Sequence, residues 1–126
     1  MDIITFMENV TLDDFKKVEI KIGKVVHCEK VADADKLLKL QVDFGDFQRQ
    51  IISAIAEWYK PEDLEGKKLP FIVNLEPRNF RGEESQGMLV AMDTEDLPPA
   101  SAGWAQPGKP VLLIPAEDVK EGTLVV

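Results

Sequence analysis

The sequence predicts an all-β protein, a five-stranded Greek-key barrel with a short helix between strands 3 and 4 and a C-terminal extension. Three observations support this prediction. Short segments of alternating apolar and polar residues recur along the chain between tight-turn signals. The segment "PEDLEG" has the start and stop residues of a short helix. The 126 residues, of which 44% are hydrophobic and 30% charged, suit one domain with one core.

The first two strands show the clearest alternation. "VEIKIGKVV" predicts strand 1, with three aliphatic residues on one face: Val18, Ile20 and Ile22. Gly23 interrupts this pattern and predicts a bulge or a bend at a barrel corner. "LLKLQVDF" predicts strand 2, with Lys39 and Gln41 on the side opposite to the core.

The later strands are shorter and are separated by glycine and proline. A tight turn at Gly45 leads to strand 3, "RQIISAIA". Pro61 and Gly66 bound the helix. "KLPFIVNL" predicts strand 4, in which Pro70 implies an exposed edge or the beginning of the strand. After the loop "EPRNFRGEES", "QGMLVAMD" predicts strand 5, and "PVLLIP" and "GTLVV" predict closing strands.

This order of elements is that of the oligonucleotide/oligosaccharide-binding (OB) fold. We therefore expect one domain over residues 1–126, with the barrel at about 13–92 and the extension at about 93–126. OB barrels bind ligands on the face of strands 2 and 3 and with the loops that join strands 1–2 and 4–5. In this chain those loops are "EKVADADK" and "EPRNFRGEES".

Two arginines stand out in the second of these loops. Arg78 and Arg81 are three residues apart, and guanidinium groups bind phosphates with two hydrogen bonds or stack on bases. The alternative is that they neutralise the acidic residues of the same loop, Glu76, Glu83 and Glu84.

Further polar residues follow the arginines. Ser85 and Gln86 can hydrogen-bond base edges or ribose hydroxyls, and Met88 is either a contact surface or core filling. Lys36 and Lys39 flank the entry to strand 2, and Arg49 lies on the neighbouring strand. Each is either a phosphate contact or a solubilising group.

Formal charge is distributed unevenly. The net charge is −8, which by itself disfavours a nucleic-acid partner. Residues 16–81, however, hold 13 of the 15 basic residues and only 11 of the 23 acidic ones. A positive face in the middle of the chain is therefore compatible with the acidic total.

Catalytic and metal sites are not expected. His27 and Cys28 are adjacent in a strand, so they point to opposite faces and cannot act as a nucleophile–base pair. One histidine and one cysteine are a poor donor set for zinc, and no phosphate-binding glycine loop is present. A single cysteine, no long apolar run and no signal-peptide pattern lead us to expect a cytoplasmic protein without a cofactor or a membrane contact.

Several blocks of the sequence resemble a known family. "DDFKKVEIKIGKV", "ADADKLLKLQVDFG", "RQIISAIA", "LEGKKLPFIVNLEP" and "RGEESQGMLVAM" are similar to successive blocks of the tRNA-binding domain of the C-terminal part or β subunit of methionyl-tRNA synthetase. The resemblance covers about residues 13–92. It implies an OB barrel, a homodimer joined through the C-terminal extension, and binding of tRNA by shape in support of a synthetase.

By this resemblance the tRNA-binding surface includes six residues: Lys36, Asn74, Arg78, Arg81, Ser85 and Met88. Arg49 and Gln86 are added from their positions alone. Glu76 departs from the family, which often has lysine there, and the segment "DLPPASAGWAQPGKP" is longer than usual. Two other functions stay open, a dimeric secretion-chaperone-like OB protein that binds peptides, and a module that docks a synthetase chain.

Overall fold

The computed structural model describes residues 7–98 and 103–126, so residues 99–102 of the long Pro/Gly/Ala-rich segment and residues 1–6 lie outside the described residues. The elements in chain order are α1 (Leu12–Lys16), β1 (Ile20–Lys30), β2 (Leu38–Asp43), β3 (Gln48–Ser53), α2 (Pro61–Leu64), β4 (Lys68–Ile72), β5 (Arg78–Phe80), β6 (Glu83–Ser85), β7 (Met88–Leu89), β8 (Ala91–Met92) and β9 (Val111–Leu112). Within the described residues, neither helix is long and apolar enough to cross a membrane.

Five antiparallel strands form the main sheet, in the order β3-β2-β1-β4-β7. The sheet curls until β3 meets the chain just before β7, where the backbone N–H of Gln86 donates to the carbonyl of Gln50 at 2.8 Å. The core lies inside this nearly closed barrel. Its fully buried members include Val25, Leu38, Leu40, Val42, Ile51, Leu64, Leu69 and Phe71. The predicted five-stranded barrel with little helix is confirmed.

The middle of the barrel follows the predicted pattern closely. In β2, Leu38, Leu40 and Val42 are buried while the residues between them are partly exposed. The turn after β2 lies at Gly45, whose φ of +90° favours glycine and whose N–H donates to the carboxylate of Asp43 at 2.8 Å. The short helix α2 begins at the predicted proline.

The predicted inward face of strand 1 is found only in part. Ile22 is buried and Ile20 is half-buried. Gly23 pairs with Leu69, however, and a Cβ at Gly23 would overlap Cγ1 of Val42, so Gly23 and Val25 are the residues that face the barrel interior. Val18 precedes the strand and is exposed. The bulge lies between Val25 and His27 and not at Gly23. The glycine therefore allows close packing instead of marking the bend.

The expectation for Pro70 is also wrong. Pro70 is the third residue of β4, an interior strand between β1 and β7. Its missing N–H costs no bond to β1, because the opposite residue, Ile22, bonds on its other side to Thr123 and Gly122. The carbonyl of Pro70 accepts from Val90 at 3.0 Å.

The end of the predicted barrel is more broken than expected. The loop after strand 4 contains a hairpin, β5–β6, and the predicted strand 5 is divided into β7 and β8. β8 leaves the main sheet and pairs with β9 of the C-terminal extension. The segment "GTLVV" forms an isolated bridge, Lys21 to Leu124, and not a regular strand. The helix α1, capped by Thr11, was not predicted.

Lys68 ties the C-terminal extension to β4. Its Nζ lies 2.7 Å from the carboxylate of Asp118, 2.7 Å from the carbonyl of Val119 and 3.5 Å from Glu121. The hydrogen bond from Lys68 lowers the pKa of Asp118, and the same bond raises the pKa of Lys68. The extension is thus held to the barrel at a charged contact as well as by the β8–β9 pair.

The tight packing at Gly23 gives a test of the fold. Gly23→Ala should lower the free energy of unfolding by about 3 kcal/mol, because the added methyl group overlaps Val42 and Phe44. Urea unfolding measures this loss. In the double variant with Val42→Ala the loss should be smaller than the sum of the two single losses, because the deleted methyl groups make room. Additive losses would contradict the packing described here.

Candidate nucleic-acid interface

A shallow groove lies between the β1–β2 loop and the tip of the β5–β6 hairpin. We call it the loop groove; it measures about 390 Å³ and is lined by Asp33, Ala34, Asp35, Lys36, Leu37 and Arg81. The β1–β2 loop and the loop after β4, which the sequence predicts to be the binding loops, are therefore neighbours in space. Lys36 and Arg81, 45 positions apart in the chain, contribute to the same groove.

A small apolar cluster holds the hairpin against the barrel. Ile52 pairs across strands with Lys39, so it lies on the outer face of the sheet. It is nevertheless buried, together with Val31 and Ala34, and Phe80 of the hairpin packs against this cluster. The hairpin therefore sits on a second, minor core outside the barrel.

The turn of the hairpin places Arg81 at its tip. Arg81 and Gly82 have φ of +54° and +86°, as the two central residues of a two-residue hairpin turn of the primed type do. The side-chain oxygen of Asn79 accepts from the N–H of Gly82 at 2.9 Å and stabilises the turn. Arg81 is exposed at this point.

Lys39 links the hairpin to β1 and is not a free cation. Its Nζ lies 3.1 Å from Glu29 and 3.4 Å from Glu83, and its side chain is only 28% exposed. The hydrogen bond from Lys39 lowers the pKa of Glu29. Gln50 adds a 3.1 Å bond to Glu83 and a 2.9 Å bond to the carbonyl of Glu84. The sequence pattern placed Lys39 on this face but did not indicate its two acidic partners.

Arg78 and Arg81 remain available for a ligand. Both are exposed, and neither makes an ion pair within residues 7–98 and 103–126. The guanidinium of Arg78 lies 5.0 Å from the ring centre of Phe80, which orients it. The alternative role as partners of the loop's own acids is therefore not found; Glu83 pairs with Lys39 instead.

Lys36 has a weak partner. Its Nζ lies 3.5 Å from Glu57, but its side chain is 75% exposed, and such exposed pairs contribute little. A phosphate can therefore replace Glu57 at small cost.

Ser85 and Gln86 close the barrel. Ser85 is 3% exposed; its hydroxyl accepts from the N–H of Ile52 at 3.0 Å and donates to the carbonyl of Gly87 at 3.0 Å. The side-chain oxygen of Gln86 accepts from the N–H of Gln50 at 3.2 Å. The structure thus gives both residues bonds within the barrel; Ser85 is buried, whereas Gln86 is half-buried.

The remaining predicted residues lie apart from the loop groove. The amide of Asn74 accepts from the N–H of Glu19 at 2.8 Å and donates to the carbonyl of Lys17 at 2.6 Å, so it fixes the chain after α1. Met88 is 46% exposed on β7. The guanidinium of Arg49 lies 4.9 Å from the ring centre of Phe47 and 3.5 Å from the carbonyl of Gln86.

Reactive side chains do not gather into a site. Within the described residues no group of three or more His, Cys, Asp or Glu is suited to a metal ion. Burial raises the pKa of the Cys28 thiol to about 11, so it is protonated at neutral pH. His27 is exposed on the opposite side of β1, near Glu29 and Glu65.

The chain is similar to several known proteins. Residues 20–124 match the family model described as a putative tRNA binding domain. The chain is 45% identical over 118 residues to a methionine–tRNA ligase from Archaeoglobus fulgidus, covering 94% of this chain but only 16% of that ligase. The chain therefore spans about a sixth of the length of this curated relative.

Two solved structures are similar over almost their whole length. A MetRS-related protein from Pyrococcus horikoshii has a TM-score of 0.83 and 43% sequence identity, covering 95% of this chain and 100% of the other. The chaperone CsaA from Bacillus anthracis has a TM-score of 0.76 and 27% identity, with coverage of 94% and 100%. The arrangement of barrel and extension is thus shared by proteins of two different descriptions.

The buried hydroxyl of Ser85 gives a test that separates closure from ligand contact. Ser85→Ala should cost about 1–3 kcal/mol in urea unfolding, because the N–H of Ile52 loses its partner in a buried place. Ser53→Ala, a half-buried serine at the end of β3, serves as the control and should cost less than about 0.5 kcal/mol. Unchanged stability with weakened RNA binding would instead assign Ser85 to the ligand surface.

Proposed function

Because the chain belongs to the family of putative tRNA-binding domains, we propose that it binds tRNA by shape and backbone charge, largely without reading base sequence. The contact surface is the loop groove and the β5–β6 hairpin, and the ligand atoms are phosphate oxygens. The barrel acts as a rigid support and needs no cofactor.

The observation that carries this proposal is the pair of arginines on the hairpin. Arg78 and Arg81 are exposed, have no acidic partner within the described residues, and stand on an element that is packed against the barrel. Arginine matches phosphate geometry with two parallel hydrogen bonds, and a fixed support reduces the entropy lost on binding.

The other predicted residues divide into contacts and supports. Lys36 adds a third cation in the loop groove, and Met88 offers an exposed apolar surface to a nucleotide. Ser85, Gln86 and Asn74 act indirectly, because their polar groups bond to this chain's own backbone. Substitution of these three should affect RNA binding chiefly through the position of the hairpin.

The biological setting follows from the relatives. Since the related ligase is a methionine–tRNA ligase and this chain spans 16% of it, the proposed role is to help deliver tRNA to a methionyl-tRNA synthetase. The catalytic reaction belongs to a different part of such a ligase. A cytoplasmic location is part of the same proposal, because aminoacylation there supplies translation.

We also propose that the protein is a homodimer. Exposed apolar residues of α1 and of the C-terminal segment form one patch with a groove of about 330 Å³, lined in part by Leu12, Phe15, Val18, Leu124 and Val125. No residue of α1 is buried, and its apolar side chains are exposed: Phe15 is 52% exposed and Leu12 is 65% exposed. A helix of five residues has little stability of its own, so a covering surface of equal apolar character stabilises it.

A second candidate function rests on the same patch. The similarity to the chaperone CsaA makes an unfolded apolar peptide an alternative occupant. The two functions separate in a competition experiment. Under the tRNA proposal, an excess of an unfolded apolar peptide leaves bound tRNA in place; under the chaperone alternative the peptide binds tightly and tRNA does not.

The arginine pair provides the central test. Arg78→Ala/Arg81→Ala should weaken binding of total tRNA about tenfold or more, measured by fluorescence anisotropy at low salt. The slope of log K against log salt should become shallower by about 1.5, the amount expected for two lost phosphate contacts. Binding should be similar for tRNAs of different sequence.

The matched control removes the same charge elsewhere. Lys60→Ala/Lys67→Ala changes two exposed cations beside α2 and should leave the affinity within about threefold of the unchanged protein. Equal losses in the two double variants would reduce the effect to overall charge and would contradict a localised site. Strong binding that survives molar salt would contradict a phosphate-based contact.

The dimer has its own test. Phe15→Ser should convert a dimer to a monomer in sedimentation at micromolar concentration, because it places a hydroxyl in the apolar patch. Val26→Ser, at an exposed valine on β1, is the control and should leave the dimer intact. An unchanged protein that is monomeric at high concentration would contradict the dimer.

A further inference from the structure

Two cations share one aromatic ring at the end of the barrel away from the loop groove. Phe47 stacks on Phe44, with ring centres 5.2 Å apart. The guanidinium carbon of Arg49 lies 4.9 Å from the centre of the Phe47 ring, and Nζ of Lys21 lies 5.6 Å from the same centre. Arg49 is also 3.5 Å from the carbonyl of Gln86. The ring and the carbonyl together hold the guanidinium in place.

These cations have no acidic partner of their own. Neither Lys21 nor Arg49 makes an ion pair within the part of the chain that the structure describes. Two like charges beside one ring repel each other, and the ring compensates only part of that cost. An anion in contact with both cations would reduce the repulsion.

A groove is lined by Lys21 and Phe47, and Arg49 lies on the Phe47 ring beside it. It measures about 330 Å³, and its charged lining residues are Lys21, Asp46, Lys120 and Glu121. Glu121 is already paired with Lys68 at 3.5 Å, so Asp46 is the acid there without a cationic partner among the described residues. Lys120 is exposed. The lining itself balances two lysines against two acids, and Arg49 on the Phe47 ring brings the nearby cations to three.

The groove and the loop groove lie at opposite ends of β2. Lys36 precedes the strand and Phe47 follows it, and six residues of strand span about 20 Å. Further arginines lie between the two grooves. Arg49 contacts the carbonyl of Gln86, and Ser85, which precedes Gln86, pairs with Arg78 of the hairpin. Arg49 on β3 and Arg78 on β5 thus lie on the two sides of Ser85 and Gln86.

We propose that Lys21, Arg49 and Lys120 form a second phosphate-binding subsite for RNA, at the Phe47 end of the barrel. The inference rests on the proposed function and extends its footprint. Arg49 supplies an oriented fork, and the two lysines supply point charges on either side. With anchors about 20 Å apart, the surface engages phosphates several nucleotides apart and so favours a long folded RNA over a short oligonucleotide.

The test removes the lysines of the second subsite. Lys21→Ala/Lys120→Ala should weaken binding of total tRNA about tenfold at low salt, and should make the salt slope shallower by about 1.5. Binding of a six-nucleotide RNA should change less than twofold, because one anchor suffices for it. The control is again Lys60→Ala/Lys67→Ala, which removes the same charge.

A second variant guards against misfolding, because Lys21 is half-buried. Lys120→Glu changes an exposed side chain and should weaken tRNA binding, whereas the control Lys67→Glu should not. If both subsite variants bind tRNA like their controls while Arg78→Ala/Arg81→Ala loses binding, the second subsite is wrong and the proposed function stands. If the unchanged protein binds no tRNA, the proposed function itself fails.

Discussion

Closure of the barrel between β3 and the chain before β7 is the contact on which the rest of the structure depends. Without it β3 would be an open edge, with unpaired N–H and C=O groups. The side-chain oxygen of Gln86 accepts a hydrogen bond from the N–H of Gln50, and the backbone N–H of Gln86 donates to the carbonyl of Gln50. The buried hydroxyl of Ser85 accepts from the N–H of Ile52. Because the chain is fixed at these points, the β5–β6 hairpin directly before them begins from a fixed base.

This closure also explains why polar residues directly precede the apolar strand β7. Ser85 and Gln86 form hydrogen bonds with the backbone of β3, and Arg78 and Arg81 before them are exposed on the hairpin. Lys39, between Glu29 and Glu83, adds a charged contact between the hairpin and the sheet. Glu29 and Glu83 are thus paired with Lys39, and the guanidinium groups of Arg78 and Arg81 have no acidic partner among the described residues.

Local patterns predicted what depends on neighbours in the chain, and missed what depends on distant contacts. β2 was predictable because its two faces meet different surroundings at every second residue. The β5–β6 hairpin was not predictable, because Arg81 has a left-handed backbone conformation at a turn position where glycine or asparagine is usually found. The bonds from Ser85 and Gln86 to β3 join residues 33 and 36 positions apart, and no periodicity indicates such pairs. The inward position of Gly23 in β1 was missed for the same reason, since contacts with Leu69 and Val42 determine it.

The minor core beneath Phe80 has a kinetic consequence. A hairpin that floated free would have to be ordered on each encounter, and the lost freedom would slow capture and weaken it. Here Phe80 packs on Val31, Ala34 and Ile52, so the hairpin keeps its shape when no ligand is bound. If the hairpin binds tRNA as proposed, association is governed by diffusion and charge attraction instead of by rearrangement, and release requires no refolding of the loop. Such a binding site suits rapid exchange of one tRNA for the next.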